Sequence, residues 1–235
     1  RHGVDRRQRQ MCIRDRGYDV SFPLMLVGVE LLLILRQVSG FNATEWALLA
    51  ILLGSAIFSL VRYSKIEAQA VLTFGLHVSG ILYLGWLGGY FLSLAALPKG
   101  NWWVMVTLAL VWMADLGGYI FGTKWGKHKM SLRLSPRKTW EGYLGGVIFA
   151  VVSGLILSLA LQPELPELTL WEGAVMGLVL ALVTPFGDLF ISMLKRAAGV
   201  KDSGTLIPGH GGILDRADTW LWAMMLGYYL VLTFA

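Results

Sequence analysis

The chain has 235 residues, 56% of them hydrophobic and only 15% charged, with a mean hydropathy of +0.62. That balance excludes an ordinary soluble domain and predicts an all-α integral membrane protein, a polytopic bundle of helices. The formal charge of +5 is no nucleic-acid signal, because residues 1–16 hold six Arg against two Asp and the remainder is close to neutral.

The head, RHGVDRRQRQMCIRDR, has no apolar periodicity and lacks the apolar core of a signal peptide. It is expected to be non-native or disordered sequence joined to a chain that lacks its native N-terminal part, with residues 17–235 forming a single membrane-embedded domain. Cys12, the sole cysteine, lies in it, so no disulfide framework and no cysteine metal site is expected.

After the head, runs of about 20 apolar residues predict seven transmembrane helices near 21–36, 45–62, 70–94, 101–121, 142–161, 173–194 and 219–235. The first is the shortest and carries Glu30. Loops at 62–69, 122–141 and 195–218 hold two, six and four Lys or Arg, whereas 36–44, 94–100 and 162–172 hold one, one and none. The asymmetry places the first set of loops in the cytoplasm, with the N-terminus.

The fourth predicted span contains Trp112-Met-Ala-Asp115-Leu-Gly-Gly118-Tyr119-Ile-Phe-Gly122. A carboxylate within a membrane helix costs roughly 2.5–3.5 kcal/mol on insertion scales, so Asp115 is a functional candidate. It shares one helical face with Gly118, Tyr119 and Gly122. The structural alternative is a hydrogen bond to Tyr119 or to a neighbouring helix. The next loop ends Ser135-Pro136-Arg137-Lys138-Thr139-Trp140-Glu141-Gly142, read as a helix start with Ser135 as the cap and Pro136 in the first helical position. The free N–H groups of that turn, with Lys138 and Thr139, favour an anion; plain capping is the alternative.

The sixth span ends Thr184-Pro185-Phe186-Gly187-Asp188-Leu-Phe-Ile-Ser192-Met-Leu-Lys195-Arg196, which stacks Asp188, Ser192 and Lys195 on one face. Pairing of Asp188 with Lys195 or Arg196 is the structural alternative. From Ser192 the chain continues through Lys201, Asp202, Pro208-Gly209-His210-Gly211-Gly212 and Asp215-Arg216-Ala217-Asp218. Glycines let backbone N–H groups approach phosphate oxygens, cations neutralise them, and spaced carboxylates hold a divalent cation. These residue types describe a site for a metal-bound polyphosphate at a membrane surface. By contrast His77 and Glu30, in apolar spans, suit helix–helix hydrogen bonds, and His128 suits simple exposure in a basic loop.

From Ser192 to Asp218 the spacing resembles the phosphatidate cytidylyltransferases (CDP-diacylglycerol synthases) at nearly every position, Ala217 being a departure. The Ser-Pro-x-Lys-Thr-x-Glu-Gly and Gly-Asp-x-x-x-Ser elements resemble the same family, in the same order, so the likeness covers about 112–218. It implies transfer of cytidylyl from CTP to phosphatidic acid, at the bacterial inner membrane, with Mg²⁺ and room for a second cation. Asp188 and Asp215 are then the principal metal carboxylates, with Asp218 beside them, and Lys195, Arg196, Lys201 and Arg216 bind phosphates. Ser192, Asp202, His210, Gly211 and Gly212 orient metal, water or phosphate, while Asp115, Ser135, Lys138 and Thr139 complete the pocket. CTP, phosphatidic acid and membrane lipids are the expected partners, nucleic acid is not, and a homodimer is left open. A CTP-dependent enzyme acting on another lipid phosphate or on a polyprenol, and an ion-coupled transporter, are the competing readings.

Overall fold

The structure is a computed structural model and describes residues 20–66, 69–131, 134–197, 199–200 and 214–234. Among these residues the chain forms seven helices and one small hairpin. The helices are α1 (Phe22–Ser39), α2 (Thr44–Ile66), α3 (Ala70–Ala95), α4 (Gly100–Trp125), α5 (Trp140–Ala160), α6 (Leu170–Ala197) and α7 (Leu214–Phe234). Strands β1 (Lys129–Ser131) and β2 (Ser135–Thr139) lie between α4 and α5. Six of the helices, α1 to α6, are long and apolar enough to cross a membrane, and α7 is apolar after its charged first turn. The protein is an integral membrane helical bundle, as its apolar runs predict. The helices overrun the predicted spans, α4 to Trp125 and α6 to Ala197. A hydropathy run stops at the first charge, but Lys124, Lys195 and Arg196 continue the last turns, where cations complement the helix dipole.

The chain divides into two compact units, the first ending at Leu92 and the second running Ser93–Ala235. In the first, Ser21 caps α1 by accepting the Leu24 N–H (3.4 Å), with Pro23 in the opening turn. The Ser21 N–H is in turn accepted by His77 Nε2 at 2.8 Å, and the fully buried His77 ring meets Phe58 edge-on. His77 thus ties helices together, as expected of it. Arg36, read from sequence as loop punctuation, is instead 4% exposed at the end of α1. Its guanidinium lies 3.6 Å from the Phe41 ring centroid, 4.8 Å from Trp86 and 5.0 Å from Tyr90. Aromatic faces stabilise a cation that leaves water, most of all when it is desolvated. Within α3 a π-helical turn at Leu82–Trp86 precedes Tyr90 and brings Gly85 against Val29 and Leu32 of α1.

In the second unit α5 packs between α4 and α6, and α7 packs on both α6 and α4. Glycines decide how closely. A Cβ at Gly146 would stand 2.6 Å from the Ala114 carbonyl oxygen, and Cβ atoms at Gly154 and Gly177 would collide with the carbonyls of Gly173 and Ala150. Helices in lipid gain no hydrophobic drive against one another, so small residues that admit backbone contact supply the packing energy. Phe121 of α4 lies over Gly145 of α5, and Phe149 of α5 lies over Gly117 of α4. At the far end of the helices from the hairpin, Leu165 and Leu168 bury the α5–α6 loop, and Lys99 Nζ bridges to Glu167 Oε2 at 3.0 Å. Its own backbone hydrogen bond, then the Lys99 ammonium, holds the Glu167 carboxyl below the usual carboxylate range.

Candidate active site

The hairpin corrects one expectation. Ser135 is no helix cap and Pro136 no first helical residue: both stand in β2, where Ser131 pairs with Ser135 and Lys129 with Thr139. Proline disfavours helical backbone in the residue before it, which sends Ser135 into extended structure, and a two-stranded ribbon has open edges where proline costs no ladder bond. The helix therefore waits for Thr139, which is extended (φ −127, ψ 154) and whose Oγ1 accepts the Gly142 N–H at 3.2 Å. Lys138 stands just outside the cap rather than in the first turn.

That placement lets Lys138 reach across to α6. Its Nζ lies 2.6 Å from Asp188 Oδ2 and 3.5 Å from the Pro185 carbonyl. Pro185 has no N–H to give the preceding turn, and Tyr143 of α5 donates its hydroxyl to the Leu182 carbonyl in the same turn, at 2.9 Å. The Asp188 carboxylate in turn lies against that of Asp218 on α7, close enough for a side-chain hydrogen bond between them. Asp218 is 4% exposed, and its Oδ1 accepts both the N–H and the hydroxyl of Thr219, at 2.8 and 3.0 Å. Asp115 of α4 sits within electrostatic reach of Lys138 and Asp188. Four elements thus bring three carboxylates and one ammonium together.

Beside them a cavity of about 480 Å³ opens between α4, the hairpin, α5 and α6. Asp115, Gly118, Tyr119 and Gly122 all line it, confirming the predicted helical face. Lys129, Arg137, Lys138 and Thr139 line it from the hairpin, and Ala114, Gly146 and Ala181 form an apolar part. Lys129 and Arg137 were not singled out by sequence, although they belong to the cation-rich loop. Ser192 is buried on α6, Lys195 is half-buried and Arg196 exposed in its last turn. Lys201, Asp202, His210, Gly211 and Gly212 lie outside the described residues. Asp215 and Arg216 open α7, and their side chains lie outside the description as well.

Among the described residues no group of three or more His, Cys, Asp or Glu could hold a metal ion. The abutting carboxylates of Asp188 and Asp218 nevertheless suit Mg²⁺, which is commonly held by one or two carboxylates while substrate phosphates and water complete its oxygen shell. Two adjoining carboxylates require a proton or a cation between them, and among the described residues Lys138 pairs with Asp188.

The chain matches the cytidylyltransferase family over residues 11–234. It is 34% identical over 200 residues to the phosphatidate cytidylyltransferase of Bacillus subtilis (strain 168), a match covering 85% of this chain and 72% of that one. With the phosphatidate cytidylyltransferase of Synechocystis sp. it shares 46% identity over 134 residues, 57% of this chain and 44% of the relative. With that of Staphylococcus epidermidis (strain ATCC 12228 / FDA PCI 1200) the identity is 31% over 217 residues, 88% of this chain and 78% of the relative. The matched stretch holds the hairpin, the acidic cluster and all seven helices, and on that basis the chain belongs to the cytidylyltransferase family.

Proposed function

We propose that this protein transfers the cytidylyl group of CTP to phosphatidic acid, giving CDP-diacylglycerol and pyrophosphate. The observation that carries the reading is the meeting of Asp115, Lys138, Asp188 and Asp218, from four elements, beside a cavity that is cationic on its hairpin side and apolar deeper in. A phosphate oxygen of the lipid attacks the α-phosphorus of CTP; the bond from that phosphorus to the bridging oxygen breaks and pyrophosphate leaves. A phosphate monoester is already anionic near neutral pH, so no strong protein base is needed. The work left to the protein is to position two polyanions and offset their charge. Lys129, Arg137 and Lys138 offset it from the hairpin, and Asp188, Asp218 and Asp215 are the carboxylates that would hold Mg²⁺. When bound, the ion offsets charge on the attacking and leaving oxygens.

A CTP-to-lipid transfer assay on purified protein, with Mg²⁺ present or chelated and with phosphatidic acid set against other lipid phosphates and a polyprenol, tests the reading. Product formed only from another acceptor would replace it. Lys138→Met keeps most of the stem but removes the ammonium. Loss of a charge-assisted contact costs about 1.5–3 kcal/mol, so kcat/KM is expected to fall about ten- to 150-fold with the fold intact. Unchanged kinetics for both substrates would remove Lys138 from the site.

The membrane is the bacterial inner membrane in this reading, with the hairpin side cytoplasmic, in support of which stands the uneven distribution of cations between alternate loops. Cysteine at Ser131 should then label with an impermeant reagent only from the cytoplasmic side, and cysteine at the exposed Gln162 only from outside. Labelling of both positions from one side would overturn the topology.

A further inference from the structure

We propose that Glu141 is a positioning residue, which anchors the β1–β2 hairpin so that Lys138 stands over the carboxylates of Asp188 and Asp218. Glu141 is the second residue of α5, yet its carboxylate turns back toward the chain leaving α4. Oε2 accepts the backbone N–H of Lys127 at 3.1 Å and that of His128 at 3.2 Å, and Oε1 lies 2.5 Å from His128 Nδ1. The neighbouring Trp140 N–H donates to the His128 carbonyl at 2.9 Å. The two ends of the hairpin are therefore stapled at its base, and Glu141 supplies most of the staple.

The hairpin has need of one. A two-stranded ribbon is marginally stable alone in water, and this ladder is irregular between Lys129 and Ser131. It nonetheless carries Lys129, Arg137 and Lys138 at the cavity wall. Capping does not account for Glu141, because Thr139 already takes the Gly142 N–H at the head of α5. His128, expected to be merely exposed, is exposed and is also the partner of this carboxylate.

Only the kinetic part of the test rests on the proposed cytidylyl transfer. Purified full-length protein is compared with Glu141→Ala, Glu141→Gln, Lys138→Met and the double variant Glu141→Ala/Lys138→Met. Glu141→Ala should speed amide hydrogen exchange across residues 127–139 and lower kcat/KM by about ten- to a hundredfold, as expected for charge-assisted bonds lost. Because Glu141 acts through Lys138 and its hairpin neighbours Lys129 and Arg137, the double variant should fall below Lys138→Met by clearly less than the full loss seen in Glu141→Ala alone. Glu141→Gln, whose amide oxygen still accepts a backbone N–H, should recover part of the loss. Losses that multiply in the double variant, unchanged exchange, or a glutamine variant as impaired as the alanine one would each overturn the proposal. If Glu141→Ala does not fold, exchange and kinetics are read on Glu141→Gln and its Lys138→Met double, with smaller changes in the same directions expected and multiplying losses again decisive. A parent protein without transfer activity would remove the proposed function while leaving exchange to decide on Glu141.

Discussion

Asp188→Asn is expected to lower turnover on the order of a thousandfold, the scale at which loss of one preorganised electrostatic group at a reacting phosphate is felt. The asparagine keeps the shape of the side chain and an oxygen for the Lys138 ammonium, but not the charge that makes a cation site with Asp218. Stability should move the other way or not at all. Asp188 is partly exposed, and the substitution removes a negative charge that faces a second, buried carboxylate. The thermal midpoint in detergent should therefore be unchanged or slightly higher while transfer is lost. Activity within a few-fold of the parent at saturating Mg²⁺ would show that Asp188 is no metal ligand.

The second large effect concerns the fold. Gly154→Val places a branched side chain where a Cβ alone would collide with the Gly173 carbonyl. Backbone opposes backbone there, so no side chain can swing aside, and α5 and α6 must separate. Overpacking of this kind costs roughly 3 kcal/mol or more, which corresponds to a fall in thermal midpoint of about 10 °C for a chain of this size. Gly54→Val and Gly75→Val serve as controls, since nothing lies within 4 Å of a Cβ at either position. They should leave the midpoint where it is or raise it slightly, valine being the better helix former. Equal melting of all three variants would remove the glycine seam from the account of stability.

The helical spans were legible because lipid demands long apolar runs, and hydropathy records them directly. The face of Asp115, Gly118, Tyr119 and Gly122 was legible too, since helical spacing alone places those residues together. Ser135 was misread because Ser-Pro is an equally good opening for a helix and for an extended segment. Only the pairing of β2 with β1, a non-local contact, decides between them. The partner of Asp188 was not legible at all: along its own helix Lys195 and Arg196 were the candidates offered by spacing, whereas the cation seen on it comes from another element. Arg36 was misplaced for a similar reason, because its aromatic surroundings gather from α1, the following turn and α3. Glu141 left a signal in its motif but none that told a backward-reaching carboxylate from a charge in a first helical turn.

The paired contacts of Phe121 with Gly145 and of Phe149 with Gly117 fix more than how tightly α4 and α5 pack. Suppose one helix slid past the other by a turn, about 5.4 Å. In one direction the two phenylalanine rings would be driven onto each other; in the other, glycine would face glycine across a void and Phe121 would meet the Glu141 carboxylate. Both displacements are penalised, so the antiparallel pair has a single low-energy vertical setting. Because Asp115 rides on α4 while Lys138 enters at the head of α5, their relative height is chosen by hydrocarbon packing before any phosphate arrives.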